Sequence, residues 1–159
     1  MSIPSPLSSY LEQRGTLYEV CPHPHSRTSF ETARSAHVQP SQLAKSVLLE
    51  DDAGWLMALI PADKTVMVGE LARQLGRKDL HLAHEDSIGM LFDECERGAI
   101  PCVGMAWGIE TVVDDELEAC EVVYMEGGDH ERLLRLSHDQ FHALMRSQPH
   151  GSFSRTPMH

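Results

Sequence analysis

The stretch LAKSVLLEDDAGWLMALIP, Leu43 to Pro61, contains two apolar runs separated by the polar DDAG. Asp52 and Gly54 suit a tight hairpin turn, so the pattern predicts two antiparallel strands, Ala44 to Glu50 and Trp55 to Ile60. Alternation along LAKSVLLE puts Leu43, Lys45, Val47 and Leu49 on one face and Ala44, Ser46 and Leu48 on the other. Lys45 is the anomaly: an ammonium among large aliphatic side chains either snorkels past the strand end or meets an anionic or carbonyl oxygen. The strand by itself leaves both readings open.

Working outward, Leu7 to Arg14 reads as a short helix and Tyr18 to Val20 as a strand, followed by the polar, proline-rich CPHPHSRT. Thr28 with Glu31 forms a capping box, which starts a helix at Ser29 that runs to about His37 before Pro40 closes the segment. Downstream, Val68 to Leu75 is helical and stops at Gly76, Asp79 to Leu82 fits a short strand, and His84 to Phe92 fits another helix. RGAIPCVG and AWGIETVVDDEL read as turn-rich. Glu121 to Tyr124 and Leu133 to Leu136 read as strands around the turn GGD, and Ser137 caps a helix through about Met145. Short strands interleaved with short helices indicate an α+β or mixed architecture rather than a doubly wound parallel sheet.

The chain has 159 residues, 42% hydrophobic and 23% charged, which fits one domain over residues 1–145. SQPHGSFSRTPMH, in the remaining 146–159, is too polar and proline-punctuated to pack and reads as a flexible tail. No run approaches eighteen apolar residues, and MSIPSPLSSYLEQRG lacks the layout of a secretory signal, so a cytoplasmic protein without membrane contact is expected. A net charge of −11 with only 13 lysines and arginines opposes broad nucleic-acid binding, so any such contact must be local.

Few patterns carry chemistry. No GxGxxG or GxxxxGK[ST] follows a strand, so neither a dinucleotide nor a nucleoside triphosphate site is supported. Cys21, Cys95, Cys102 and Cys120 form no CxxC pair and read as free structural thiols. The loop GAIPCVG, Gly98 to Gly104, could bring backbone amides close to a ligand, although such a loop is more often a plain turn. His23 and His25 place two imidazoles at metal-ligand spacing, but two ligands are not a site and no third is apparent. The alternative is a polar loop with a structured histidine. The pairs Asp51–Asp52 and Asp114–Asp115 mark turns and solvated faces.

The order HPHSRTSFETA, LAKSVLLEDDAGWLMALIPADKTV, ELARQLGRKDLHLAHED, LFDECERGAIPCVG and VVDDELEACEVVYMEGGDHERLLRLSHDQF resembles the YbaK family, free-standing relatives of the prolyl-tRNA synthetase editing domain. The likeness covers residues 18 to 145. The AKS lysine strand, the IPAD strand end, the glycine and proline loop and the GGDH turn carry it together.

The resemblance implies a mixed, partly closed β-barrel flanked by helices, and metal-independent, cofactor-free hydrolysis of the ester in a mischarged aminoacyl-tRNA of the tRNA-Pro type. It assigns the family's lysine to Lys45 and its loop glycine to Gly98. Lys45 would hold oxygens of the terminal adenosine ester, and the amides of Gly98, Ala99 and Ile100 would meet the aminoacyl group. His25, Thr28, Ser29 and Ser46 would border the pocket together with Pro101, Cys102 and Gly104, and Asp114 would stand behind them. The family loop commonly reads GxxxP, whereas here Cys102 is fifth and the proline comes early, at Pro101. That departure bears on amino-acid specificity more than on the reaction, and it sustains a rival reading as a non-catalytic tRNA or synthetase-binding module. The expected partners are the aminoacyl-tRNA 3′ end and a synthetase holding the rest.

Overall fold

The Leu43–Pro61 hairpin is the centre of the molecule. The structure is a computed structural model that describes residues 3–157, so residues 1, 2, 158 and 159 of the expected domain and tail lie outside it. Strands β1 (Glu19–Pro22), β2 (Leu43–Asp51) and β3 (Gly54–Pro61) are followed by the short β4 (Thr65–Val66) and β5 (His81–Leu82). Then come β6 (Glu110–Asp114), β7 (Val122–Glu126), β8 (Arg132–Ser137), β9 (His150–Gly151) and β10 (Ser154–Arg155). The helices are α1 (Ser5–Gln13), α2 (Ser29–Ser35), α3 (Val68–Leu75), α4 (Glu85–Leu91), α5 (Asp115–Glu118) and α6 (His138–Met145).

The main sheet runs β1-β8-β7-β2-β3-β6-β9, with β5 as an additional partner of β2, while β4 and β10 form a separate ribbon. β2 and β3 pair antiparallel from Ala44–Pro61 to Asp51–Gly54, and β7–β2, β3–β6 and β6–β9 are parallel. Helices cover both faces of this mixed sheet, an α+β fold. The sheet is open, ending at β1 and β9 among the described residues, so the expected barrel closure is not seen.

β3 reads as a continuous apolar run because both of its faces are buried. Met57 and Leu59 join Leu48, Val113, Met125, Leu134 and Phe141 on one side, where Leu7 and Leu11 of α1 also pack. Leu56, Ala58 and Ile60 join Leu49, Leu71, Val112 and Phe153 on the other. Arg77 braces the hairpin turn with a two-point ion pair to Asp51, at 2.8 and 2.6 Å, and a bond to the Gly54 carbonyl. The Arg77 guanidinium holds the Asp51 carboxyl down at about 2.

Two further expectations fail. The segment AWGIETVVDDEL, read as turn-rich, contains β6, whose Thr111, Val112 and Val113 are buried beside β3. Its two acids are the end of the strand and the start of α5: Asp114 Oδ1 accepts from Glu116 N at 3.0 Å as the N-cap. The segment after α6, read as too polar to pack, supplies β9 and β10 and buries Phe153 completely. Asp114 Oδ2 accepts from Phe153 N at 3.0 Å, so one carboxylate caps a helix and pins this segment.

Candidate functional site

Along one edge β2 is paired by β3 throughout. On the other edge β7 meets only Leu43 and Ala44, and β5 meets only Leu49 and Glu50. Lys45 to Leu48 therefore lack a strand partner there, and a cleft of about 260 Å³ occupies the gap. It is lined by Lys45 to Leu48, Ser29 of α2, Leu82 of β5 and the following Ala83, Glu85 and Ile88 of α4, Gly98, Ile100 and Glu126. An adjoining hollow of about 340 Å³ shares Ser29, Lys45, Ser46 and Gly98 and adds Arg27, Thr28, Phe30 and Ala62. Phe30 is half exposed at its rim.

Lys45 neither runs to solvent nor sits among aliphatics without a partner. Its Nζ donates to the Lys64 carbonyl oxygen at 3.0 Å, just past the IPAD strand end. Burial lowers its pKa, and the nearby Asp63 carboxylate partly restores it. An ammonium has three N–H donors. One is used on Lys64, which fixes the head group and leaves two for oxygens entering the cleft.

Across the gap, Ser46 Oγ donates to the Ile100 carbonyl oxygen at 3.0 Å and ties β2 to the Gly98 loop. Gly98 has φ +82°, and a Cβ there would stand 3.3 Å from both the Arg27 carbonyl oxygen and His130 Nε2. Glycine is required on both counts. His130 Nε2 lies 2.6 Å from the Arg97 carbonyl oxygen, so this nitrogen carries the proton and donates it. The GGDH turn thereby buttresses the loop. Asp129 of the same turn accepts from Glu131 N and Arg132 N at 2.9 and 3.0 Å, which shapes the turn without reaching the cleft.

The structure thus brings Lys45, Ser46, Ser29, Gly98 and Ile100 together, with Thr28 in the adjoining hollow. His25 lies apart, in a hollow with Ser26, Arg27, Glu96, Arg97 and His130, its Nε2 3.3 Å from Glu96 Oε1. His23 is buried with Nδ1 2.8 Å from the Pro24 carbonyl oxygen. Among the described residues no group of three His, Cys, Asp or Glu side chains could hold a metal ion.

Ala99, Pro101, Cys102 and Gly104 are buried behind the loop rather than lining the cleft. Cys102 packs in the main core, and burial pushes its thiol up, with Glu126 adding to the effect. The pocket wall expected at Cys102 is formed by Ile100. A Cβ at Gly104 would lie 3.2 Å from the Ile109 carbonyl oxygen, so that glycine serves packing against β6. Asp114, as capping and pinning residue, does not line the cleft.

The residue overlooked in the sequence is Glu126. It carries the same signal as Lys45, a charge in an apolar strand, at the end of VVYME.

The aminoacyl-tRNA editing domain model matches residues 23–144. No protein of curated function matches. Among solved structures, one provisionally described as a trans-editing enzyme for prolyl-tRNA synthetase superposes with a TM-score of 0.81 at 22% identity, covering 94% of this chain and 95% of its own. A hypothetical protein, APE2540, gives 0.82 at 24%, covering 95% and 100%. A Marinobacter aquaeolei VT8 protein, provisionally described as a signal transduction protein, gives 0.76 at 22%; 96% of this chain matches 31% of that longer one. At these identities the three show the fold.

Proposed function

The chain belongs to the aminoacyl-tRNA editing domain family, and from that premise we propose that it deacylates mischarged tRNA in trans. The observation that carries this reading is Lys45, which lines the cleft from the unpaired stretch of β2, opposite the Gly98 loop, with two donors left after its bond to Lys64. A synthetase pocket gains only about 1–3 kcal/mol from one methylene, so amino acids of similar size are charged in error and a second sieve has value. The ester is already activated, and its hydrolysis needs positioning and oxyanion stabilisation more than a protein nucleophile.

Lys45 holds oxygens of the 3′-terminal adenosine ester. Water adds to the carbonyl carbon, the bond to the ribose oxygen breaks, and that oxygen leaves with a proton. The vicinal ribose hydroxyl and the substrate's amino group lie close enough to the carbonyl to pass this proton, which makes the attack substrate-assisted. Cys102 is withdrawn into the core with a raised thiol pKa, which argues against a thiolate nucleophile. A tRNA of the prolyl type in the cytoplasmic pool is the substrate we propose, a reading supported by the description of the structural neighbour as a trans-editing enzyme for prolyl-tRNA synthetase. A synthetase holding the tRNA body is the natural partner. The binding-module rival drew on Cys102 as an altered pocket wall, and its burial in the core removes that support.

Lys45→Ala is expected to lower deacylation kcat/KM at least about a hundredfold, roughly 2.7 kcal/mol of transition-state stabilisation, with an unchanged circular dichroism spectrum. Near-normal turnover by the folded variant would remove Lys45 from the mechanism. Chelator is expected to leave turnover unchanged, whereas loss restored by zinc would return His23 and His25 to consideration.

A further inference from the structure

Three charged residues line the Lys45 cleft: Lys45 itself, Glu85, which is already paired with Arg97 at 3.1 Å, and Glu126, to which the reaction as described gives no work. Glu126 ends β7. Leu43 on β2 pairs with Tyr124 on β7, and two residues further along each strand Lys45 and Glu126 come onto the same face of the sheet. Glu126 is 2% exposed and lines the cleft, yet neither carboxyl oxygen has a hydrogen-bond partner among the described residues.

The nearby groups do not satisfy it. Thr32 favours its ionised form, but that hydroxyl is engaged 2.5 Å from Ser26 Oγ and makes no geometric hydrogen bond to the carboxyl. Arg132 pairs with Asp129 at 3.4 Å, and Lys45 donates to Lys64. Burial, opposed by Thr32 and reinforced by Asp129, pushes the carboxyl up to about 8. A buried acid without a partner is costly, and one aimed into a cleft has an outside group as its natural partner.

We propose that Glu126 receives the α-ammonium group of the esterified amino acid, so that the cleft reads an aminoacyl ester at two points, an oxygen at Lys45 and the amine at Glu126. This rests on the reading of the cleft as an aminoacyl-ester site. It supplies what that reading lacks: a reason for the site to prefer an aminoacyl group over any other acyl group. An amine bound at Glu126 is also held beside the carbonyl it must assist.

The test uses 3′-aminoacylamino-3′-deoxyadenosines, stable amide analogues of the ester, with side chains from small to large. Each is paired with a counterpart in which hydrogen replaces the amine. Titration calorimetry on the full chain is expected to show at least one pair in which the amine-bearing member binds about tenfold tighter or more. Glu126→Gln should bring that pair within about twofold, while Lys45→Ala weakens both members alike. Equal binding of every pair by wild type, absence of binding, or a preference that survives in Glu126→Gln each overturns the assignment. Turnover of mischarged tRNA is followed separately. An amine preference that is lost in Glu126→Gln, found without turnover, sinks the deacylase reading and upholds Glu126, whereas turnover with the preference intact in Glu126→Gln sinks Glu126 alone.

Discussion

Glu126 has a thermodynamic signature independent of any ligand. Its carboxyl moves from an ordinary 4.5 to about 8 on folding. Between those values the unfolded chain has released a proton that the folded chain keeps, so stability falls as pH rises, by up to about 1.4 kcal/mol per unit. Below 4.5 both states are protonated and the penalty vanishes. Glu126→Gln removes this titration, and urea unfolding should find it more stable than wild type by on the order of 2–3 kcal/mol at pH 7, converging near pH 4. A difference independent of pH would show that the carboxyl ionises normally in the fold. Gly98 is the opposite case, a residue whose side chain must be absent. Gly98→Ala forces a left-handed backbone on alanine and presses a methyl against Arg27 and His130, with an expected stability loss of about 1–2 kcal/mol and a fall in kcat/KM of about tenfold or more. Unaltered deacylation by that variant would separate the loop from the reaction.

The two central strands were legible because their burial imposes a pattern: β3 is covered on both sides and reads as an unbroken apolar run. β6 is buried in the same way, but its apolar core is only Val112 and Val113 beside Thr111, and two aspartates follow at once. A five-residue parallel strand depends on the β3 edge it joins rather than on its own sequence. The same holds for β9 and β10, two residues each, in a segment whose single large apolar group among the described residues is Phe153. Phe153 fills the layer of Leu49, Leu56 and Leu71. Phe153→Ala should therefore cost about 3–5 kcal/mol and lower Tm by roughly 10 °C. An unchanged melting temperature would mean that the C-terminal segment adds nothing to the core. At the site, Lys45 was legible as a charge against pattern, while His130 was not, since only the fold brings the GGDH turn under the Gly98 loop.

Charge at the scale of the whole molecule limits how much of a tRNA this protein can hold. Twenty-four acids outnumber thirteen lysines and arginines. Near the cleft, Arg97 is paired with Glu85 at 3.1 Å and Lys64 Nζ donates to Thr156. Lys45 lines the cleft itself and Arg27 the adjoining hollow. Beside the cleft, Glu85, Asp86 and Arg97 line a third hollow, where the Glu85 pairing leaves Arg97 little charge to offer a phosphodiester. With one or two phosphates neutralised, each contributing about −0.7 on single-stranded nucleic acid, the logarithm of kcat/KM against that of salt should have a slope between about −0.7 and −1.4. If the acidic body grips only the 3′ end, as proposed, a mischarged acceptor-stem minihelix should be cleaved within about threefold of the rate for whole tRNA. A slope near −5, or a hundredfold loss on the minihelix, would place the tRNA body against this protein. The amino acid would then be selected together with the tRNA rather than at the Lys45 and Glu126 cleft by itself.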